Sequence, residues 1–232
     1  MKRGKKYTEK AALVEANQAY SPDQAMSLVK QTAFAKFPES VEIHFKLGID
    51  PRHADQQIRG TLSLPHGTGK SIRVAVVASP DKQDEAKKAG ADEVGGAELV
   101  DKIAGGWFEF DLLIATPDMM AKVGRLGQVL GPKGLMPSPK GGTVTPQVGQ
   151  AVKEFKSGRI EYRNDKLGNL HVVIGKVNFT ENQLVENYWA VHETIVKARP
   201  SKAKGVYMQT ITACSTMGPG VSIDPLKNKK EG

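Results

Sequence analysis

The chain has 232 residues, room for one large domain or two ordinary ones, and its 39% hydrophobic content supports packed cores rather than a disordered tail. No apolar run approaches the roughly 18 residues of a membrane span, and the basic start MKRGKKYTEK lacks the apolar stretch of a secretory signal. The net charge of +8, from 33 Lys and Arg against 25 Asp and Glu, favours a polyanionic partner, because each neutralised phosphate releases counterions.

The elements alternate between two styles. Ser21-Pro22 reads as a cap followed by proline at the first helical position, opening a helix toward Phe34. Residues 41–49 alternate apolar and polar without a break, as in a strand with one buried and one open face, the usual pattern of antiparallel sheets. From Lys70 the pattern changes. Residues 72–78 and 111–116 are short apolar runs, as expected of strands covered on both faces. Helices are predicted over 81–89, stopped by Gly90, and over 97–104, stopped by Gly105-Gly106. Thr116-Pro117 and Thr145-Pro146 each look like a helix cap with proline in the first turn. After Ser157-Gly158 the first style returns. Residues 160–163 and 170–174 flank the turn-rich 164–169 and read as a β-hairpin with Lys166 and Gly168 at its tip. Thr180 and Gln183 form a capping box for a helix to about Ala198, whose buried stripe is Leu184, Val185, Tyr188, Trp189, Ile195 and Val196. Residues 206–213 form a last strand.

This order predicts an α/β protein of two domains. A discontinuous two-layer α/β domain comes from residues 1–66 and 159–232, and an inserted open parallel α/β domain spans 67–158. Charge follows the same division: residues 67–158 carry 12 basic and 11 acidic side chains, and the rest carry 21 and 14. The polyanion-facing surface therefore belongs to the two ends. The chain crossings near Gly67-Thr68-Gly69 and Ser157-Gly158 would make a natural hinge.

Catalysis has no foothold. His66-Gly67-Thr68-Gly69-Lys70-Ser71 imitates a phosphate-binding loop, but Leu64 stands where the first glycine is needed and a strand follows instead of a helix; a domain crossover is the better reading. The first inserted strand exits into Ser79-Pro80-Asp81 without a dinucleotide fingerprint. The five histidines show no paired metal-ligand spacing, so neither metal nor cofactor is expected. Cys214 cannot form an internal disulfide, fits a reducing compartment such as the cytoplasm, and is expected to pack as a small apolar residue.

Three segments of the basic domain could hold a nucleic acid. Phe37, in the polar junction Lys36-Phe37-Pro38-Glu39-Ser40-Val41-Glu42, is either an exposed stacking surface or a core residue closing the helix, and periodicity favours the core. Cys214-Ser215-Thr216-Met217-Gly218-Pro219-Gly220 offers hydroxyls and a backbone that another molecule can approach closely, or it is an ordinary turn. The loop from Arg163 to His171 is either a basic contact or only a loop. The poverty in aromatics, 6%, argues for reading the shape and hydroxyls of a folded RNA rather than stacking many bases. An α/β enzyme acting on a nucleotide and a nonselective nucleic-acid chaperone are the rival readings.

Several blocks in a fixed order are more distinctive. They are Phe37-Pro38-Glu39-Ser40-Val41-Glu42-Ile43-His44-Phe45, the stretches at 61–67 and 159–166, the glycine-rich block VGRLGQVLGPKGLMP at 123–137, and Ser215-Thr216-Met217-Gly218-Pro219-Gly220. Together, from about residue 7 to residue 225, the chain closely resembles the bacterial ribosomal protein L-one family of the mobile large-subunit stalk. One departure is Ser138, where asparagine is expected. The resemblance implies a split RNA-binding domain with a Rossmann-like insertion. It centres RNA contact on Phe37, Ser40, Glu42, Thr216, Met217 and Gly218, with support from Lys36, His44, Lys46, Arg163, Lys166, Gly168 and Ser215. It thereby tips Phe37 toward function. Glu42, being anionic, would accept from ribose hydroxyls or amino groups. Arg125, Lys133 and Lys140, within residues 124–142, either touch RNA as a secondary patch or shape a loop facing the basic domain. The implied partners are large-subunit stalk rRNA, exit-site tRNA, the leader of the protein's own messenger and other ribosomal components. The implied setting is the cytoplasmic ribosome, with no membrane and a monomer when free.

Overall fold

The computed structural model describes residues 4–15 and 18–226. The chain divides into two compact units, Met1–Lys70 with Tyr162–Gly232, and Ser71–Glu161.

The first unit opens with helix α1 (Lys5–Ala11), followed by α2 (Pro22–Thr32). Ser21 caps α2: its hydroxyl accepts from Gln24 N, and the Gln24 side chain returns to Ser21 N. Strand β1 (Ser40–Leu47) alternates strictly, with Val41, Ile43, Phe45 and Leu47 buried. β1 runs antiparallel to β7 (Asn169–Lys176) on one side and to β8 (Met208–Ser215) on the other, and β9 (Val221–Ile223) completes the order β7-β1-β8-β9. Helices α2 and α8 (Glu181–Lys197) pack together on one side of this sheet, burying Met26, Val29, Leu184, Tyr188 and Ile195. The predicted Thr180–Gln183 capping box starts α8. Its buried stripe is rotated from the expected one. Val196 is 47% exposed, whereas Asn187, Val191 and His192 are buried. Asn187 faces inward because it has work there: its amide donates to Ile174 O and Gly67 O and its oxygen accepts from His66 N. The phosphate-loop look-alike is thus a turn pinned to α8 by one amide.

The predicted hairpin is not one. β6 (Arg159–Arg163) pairs with β2 (Arg59–Ser63) in a separate two-stranded sheet, while β7 joins β1. A lone bridge, Asn164 to Leu170, links the two arms. The reason is Asn164, whose backbone N–H donates to Ile58 O and whose side-chain oxygen accepts from Ile58 N, committing β6 to β2.

In the second unit, β4 (Glu93–Gly95), β3 (Val74–Val77) and β5 (Leu112–Ala115) form a parallel sheet in the order β4-β3-β5. Every residue of β3 is buried. Helix α4 (Ala97–Ala104) contributes Leu99, Val100 and Ile103 to a core that includes Ala75, Val77 and Leu113. A second core joins Val74, Val76 and Ile114 to Ala86 of α3 (Pro80–Lys88) and to Val148, Val152 and Phe155 of α7 (Val148–Lys156). Both faces are therefore covered, as parallel sheets require. Between β5 and α7 lie the one-turn helices α5 (Met120–Val123) and α6 (Gly127–Leu130). Thr116 does precede a helical turn, at Pro117–Met119, but without a side-chain cap. Thr145 caps nothing: its hydroxyl accepts from Gln147 N in a local turn, and Gln147 stands at the cap position of α7.

Candidate functional site

The junction between α2 and β1 is organised by a residue that sequence patterning gave no reason to single out. Glu39 is 2% exposed and carries a carboxylate. Its Oε1 accepts from Phe34 N at 2.9 Å and Ala35 N at 2.7 Å, and its Oε2 accepts from Met217 N at 3.0 Å. Burial, the largest influence, pushes its pKa up. Hydrogen bonds from Ser215, Ala35, Met217 and Phe34 outweigh it and hold the carboxyl below its ordinary value. The charge is held by amides and a hydroxyl, as buried anions must be in the absence of a cation.

Thr216 makes the second tie. Its hydroxyl accepts from Ser40 N at 2.9 Å and its N–H donates to Ser40 O at 3.1 Å, continuing the β1–β8 ladder with a side chain. Lys176 Nζ donates to the Ser40 hydroxyl at 2.8 Å. Ser215 is buried and turned inward, where its hydroxyl accepts from Gly218 N at 3.2 Å. A Cβ on Gly218 would lie 2.5 Å from that hydroxyl, so the turn is too tight for any other residue without rearrangement. On these two tied segments Phe37 is 53% and Met217 51% exposed. The core position that periodicity favoured for Phe37 is wrong: the chain between α2 and β1 is neither helix nor strand, so periodicity does not extend to it.

The open face of β1 carries Ser40, Glu42, His44 and Lys46, all partly exposed. Glu42 stands between Val173 of β7 and Cys214 of β8. His44 is a hub: its Nδ1 lies 2.8 Å from His171 Nδ1 and its Nε2 lies 3.2 Å from Cys214 Sγ. Burial, then the charge of His171, lowers the His44 pKa, while Glu42 acts in the other direction. Burial and then Glu42 push the Cys214 thiol up, so Cys214 is a polar neighbour of His44 and a poor nucleophile. Lys46 Nζ donates to Leu167 O at 2.5 Å.

The 164–169 loop is wound around Asp165, whose carboxylate accepts from Leu167 N and from both the backbone and the side chain of Asn169. Burial opposes, but these bonds and His171 hold its carboxyl at about 2. Lys166 and Leu167 are exposed at the tip. Gly168 is not at the tip. It is buried with φ +78, and a Cβ there would lie 3.2 Å from Leu47 O, so it shapes the loop from beneath. Lys36 is exposed beside Phe37, and Arg163 is exposed at the end of β6, whose sheet partner is β2.

Sequence reasoning therefore named both tied segments and the open face of β1, but missed Glu39, His171 and Cys214 as the groups that hold them. Within residues 124–142, Arg125, Lys133 and Lys140 are exposed, and the Lys133 ammonium lies over the Phe108 ring at 4.5 Å.

Among the described residues no helix is long and apolar enough to cross a membrane, and no group of three or more His, Cys, Asp or Glu is placed to hold a metal ion. A family model described as the ribosomal protein L1p/L10e family matches residues 29–219. That span takes in both tied segments, the open sheet face and the whole inserted unit. The chain belongs to this family, a family of structural rRNA-binding proteins of the ribosome rather than of enzymes.

Proposed function

We propose that this family member grips the rRNA of the large-subunit stalk through the two segments that Glu39 ties together. The observation that carries the reading is that a buried carboxylate fixes two loops distant in sequence, and each loop leaves one large apolar side chain, Phe37 or Met217, in solvent. An exposed apolar pair on a rigid support matches a partner that supplies flat base or ribose surface. In this reading Phe37 and Met217 pack on the RNA, while Glu42, Ser40 and the Thr216 backbone meet ribose hydroxyls, which favours RNA over DNA. The backbone at Gly218 lets the RNA come close, over a turn that Ser215 holds. Lys36, Lys46, Arg163 and Lys166 meet the flanking phosphates, His44 supports the face between them through His171 and Cys214, and Gly168 shapes the loop that carries Lys166.

By the same reading the protein works on the cytoplasmic ribosome and is a monomer when free. The inserted unit moves about the two chain crossings to assist release of deacylated tRNA from the exit site. The RNA-gripping unit represses translation of the protein's own messenger by binding a leader that imitates the ribosomal site. The test is binding across a salt series to a folded large-subunit stalk fragment and to a scrambled RNA. Strong preference for the stalk RNA, reduced in Phe37→Ala, supports the reading. Equal binding to both RNAs, with a salt slope of only a few phosphates, would leave a nonselective basic protein and retire it.

A further inference from the structure

Opposite the Glu39 clamp, at the far end of the same sheet, lies an open groove of about 570 Å³ whose lining includes Lys46, Gly48, Lys204, Val206 and Gln209. It is built by a break in the strand pairing. Lys46 stands opposite Thr210 and Leu47 opposite Met208, so Gln209 is an extra residue on β8, bulged out of the ladder and exposed. Bulges of this kind re-aim a side chain and are common beside functional sites. Beneath it, Gly48 N donates to Tyr207 O at 2.7 Å, and a Cβ on Gly48 would lie 2.2 Å from Val206 O and 3.4 Å from Gln209 Nε2. Only glycine allows the two backbones to meet there, and their meeting leaves Val206 70% exposed at the lip.

The charges of the groove are sorted. Asp50, in the lining, is neutralised by Arg52, whose guanidinium donates to both carboxylate oxygens. Lys202, also in the lining, is taken by Asp55 at 2.5 Å. Lys204 has no carboxylate partner among the described residues, and Lys46 donates to a neutral carbonyl. Two cations without counter-ions among the described residues, a displaced amide and an exposed apolar lip thus converge on one groove.

We propose that this groove is a second RNA subsite, holding one unpaired nucleotide: its phosphate on Lys46 and Lys204, its base against Val206 with an edge read by Gln209. This rests on the reading above and extends it. Lys46 belongs to the same open face of β1 as Ser40 and Glu42, and the six residue steps from Ser40 to Lys46 span about 20 Å. A folded RNA seated on the clamp and lying along this face reaches the groove at its other end. The subsite would add affinity through a phosphate and selectivity through a base that a regular duplex does not offer.

The experiment uses the full chain and the stalk rRNA fragment, with scrambled RNA as reference, and compares wild type, Lys204→Gln, Val206→Asp and Phe37→Ala. The three altered side chains are exposed, so thermal unfolding should be unchanged and will verify that each variant is folded. The subsite predicts that Lys204→Gln lowers the slope of log affinity against log salt by about one and weakens binding about fivefold at about 0.1 M salt, as for one phosphate contact. Val206→Asp, which puts a negative charge at the lip, should weaken it at least as much. If Phe37→Ala weakens binding while Lys204→Gln and Val206→Asp keep wild-type affinity and slope, the subsite is wrong and the clamp site stands. If wild type itself fails to prefer the stalk fragment, the reading on which the subsite rests falls, and the subsite with it.

Discussion

The carboxylate of Glu39 accepts the amide proton of Met217 across 178 residues of sequence. Through that bond and its two bonds to Phe34 and Ala35, one buried side chain sets the spacing between the two loops that carry the candidate RNA contacts. An anion with so many donors is costly to remove, because each part-buried amide left behind loses its acceptor.

Glu39→Ala should therefore lower unfolding free energy by about 3 kcal/mol, from the orphaned donors. Urea denaturation measures it, and a loss under about 0.5 kcal/mol would show that water replaces the carboxylate without penalty. The depressed pKa adds a pH signature. The stabilisation is complete above the ordinary carboxylate range and disappears as pH falls through the lower folded value. The alanine variant should lack that acid-range dependence.

Phe37→Ala and Thr216→Val should separate binding from stability. Phe37 is exposed, so its loss should leave stability within about 0.5 kcal/mol of wild type while weakening stalk RNA binding by about 1–3 kcal/mol. Thr216→Val removes the acceptor for Ser40 N and should cost about 1 kcal/mol of stability as well as affinity. Parallel unfolding and binding curves distinguish the two patterns.

His192 on α8 is buried against Tyr188 and Trp189, and its Nε2 has no hydrogen-bond partner among the described residues. Burial lowers its pKa, with the Glu193 charge opposing. A depressed folded pKa means that the unfolded chain binds the proton more readily. Stability is then greatest above the ordinary histidine range and falls as pH drops below it. Unfolding between about pH 7.5 and 5 should show this loss, and His192→Phe should show less of it. An identical pH dependence in that variant would assign the effect elsewhere.

At 2.8 Å the Nδ1 atoms of His44 and His171 make one hydrogen bond, so one ring donates there and the other accepts. Replacing His171 removes the second of the two influences that depress His44. In His171→Gln the imidazole of His44 should titrate at higher pH than in wild type. NMR of the ring protons follows this directly, and an unmoved titration would mean that burial alone sets it.

What the sequence determined by itself was local or periodic. The capping boxes Ser21–Gln24 and Thr180–Gln183 involve atoms three residues apart, so both helix starts could be read from the chain. The strict alternation of β1 announced a sheet with one open face, and the apolar run of β3 a strand covered twice, because burial dictates side-chain polarity one position at a time. The glycine-rich block and the Thr216-Met217-Gly218 turn were legible as strings. What tertiary structure alone decided was partnership. Nothing near Glu39 in sequence says that its carboxylate will meet Met217, nothing near His44 names His171 and Cys214, and nothing in 160–174 says that Ile58 will take the first arm into another sheet. Thr145 and Val196 were misplaced for the same reason: a hydroxyl with a nearer amide and a helix turned to bury Asn187 both answer to competing partners. A hydrogen bond between distant residues exists only after the backbone has closed the loop between them, and that closure is a property of the whole fold.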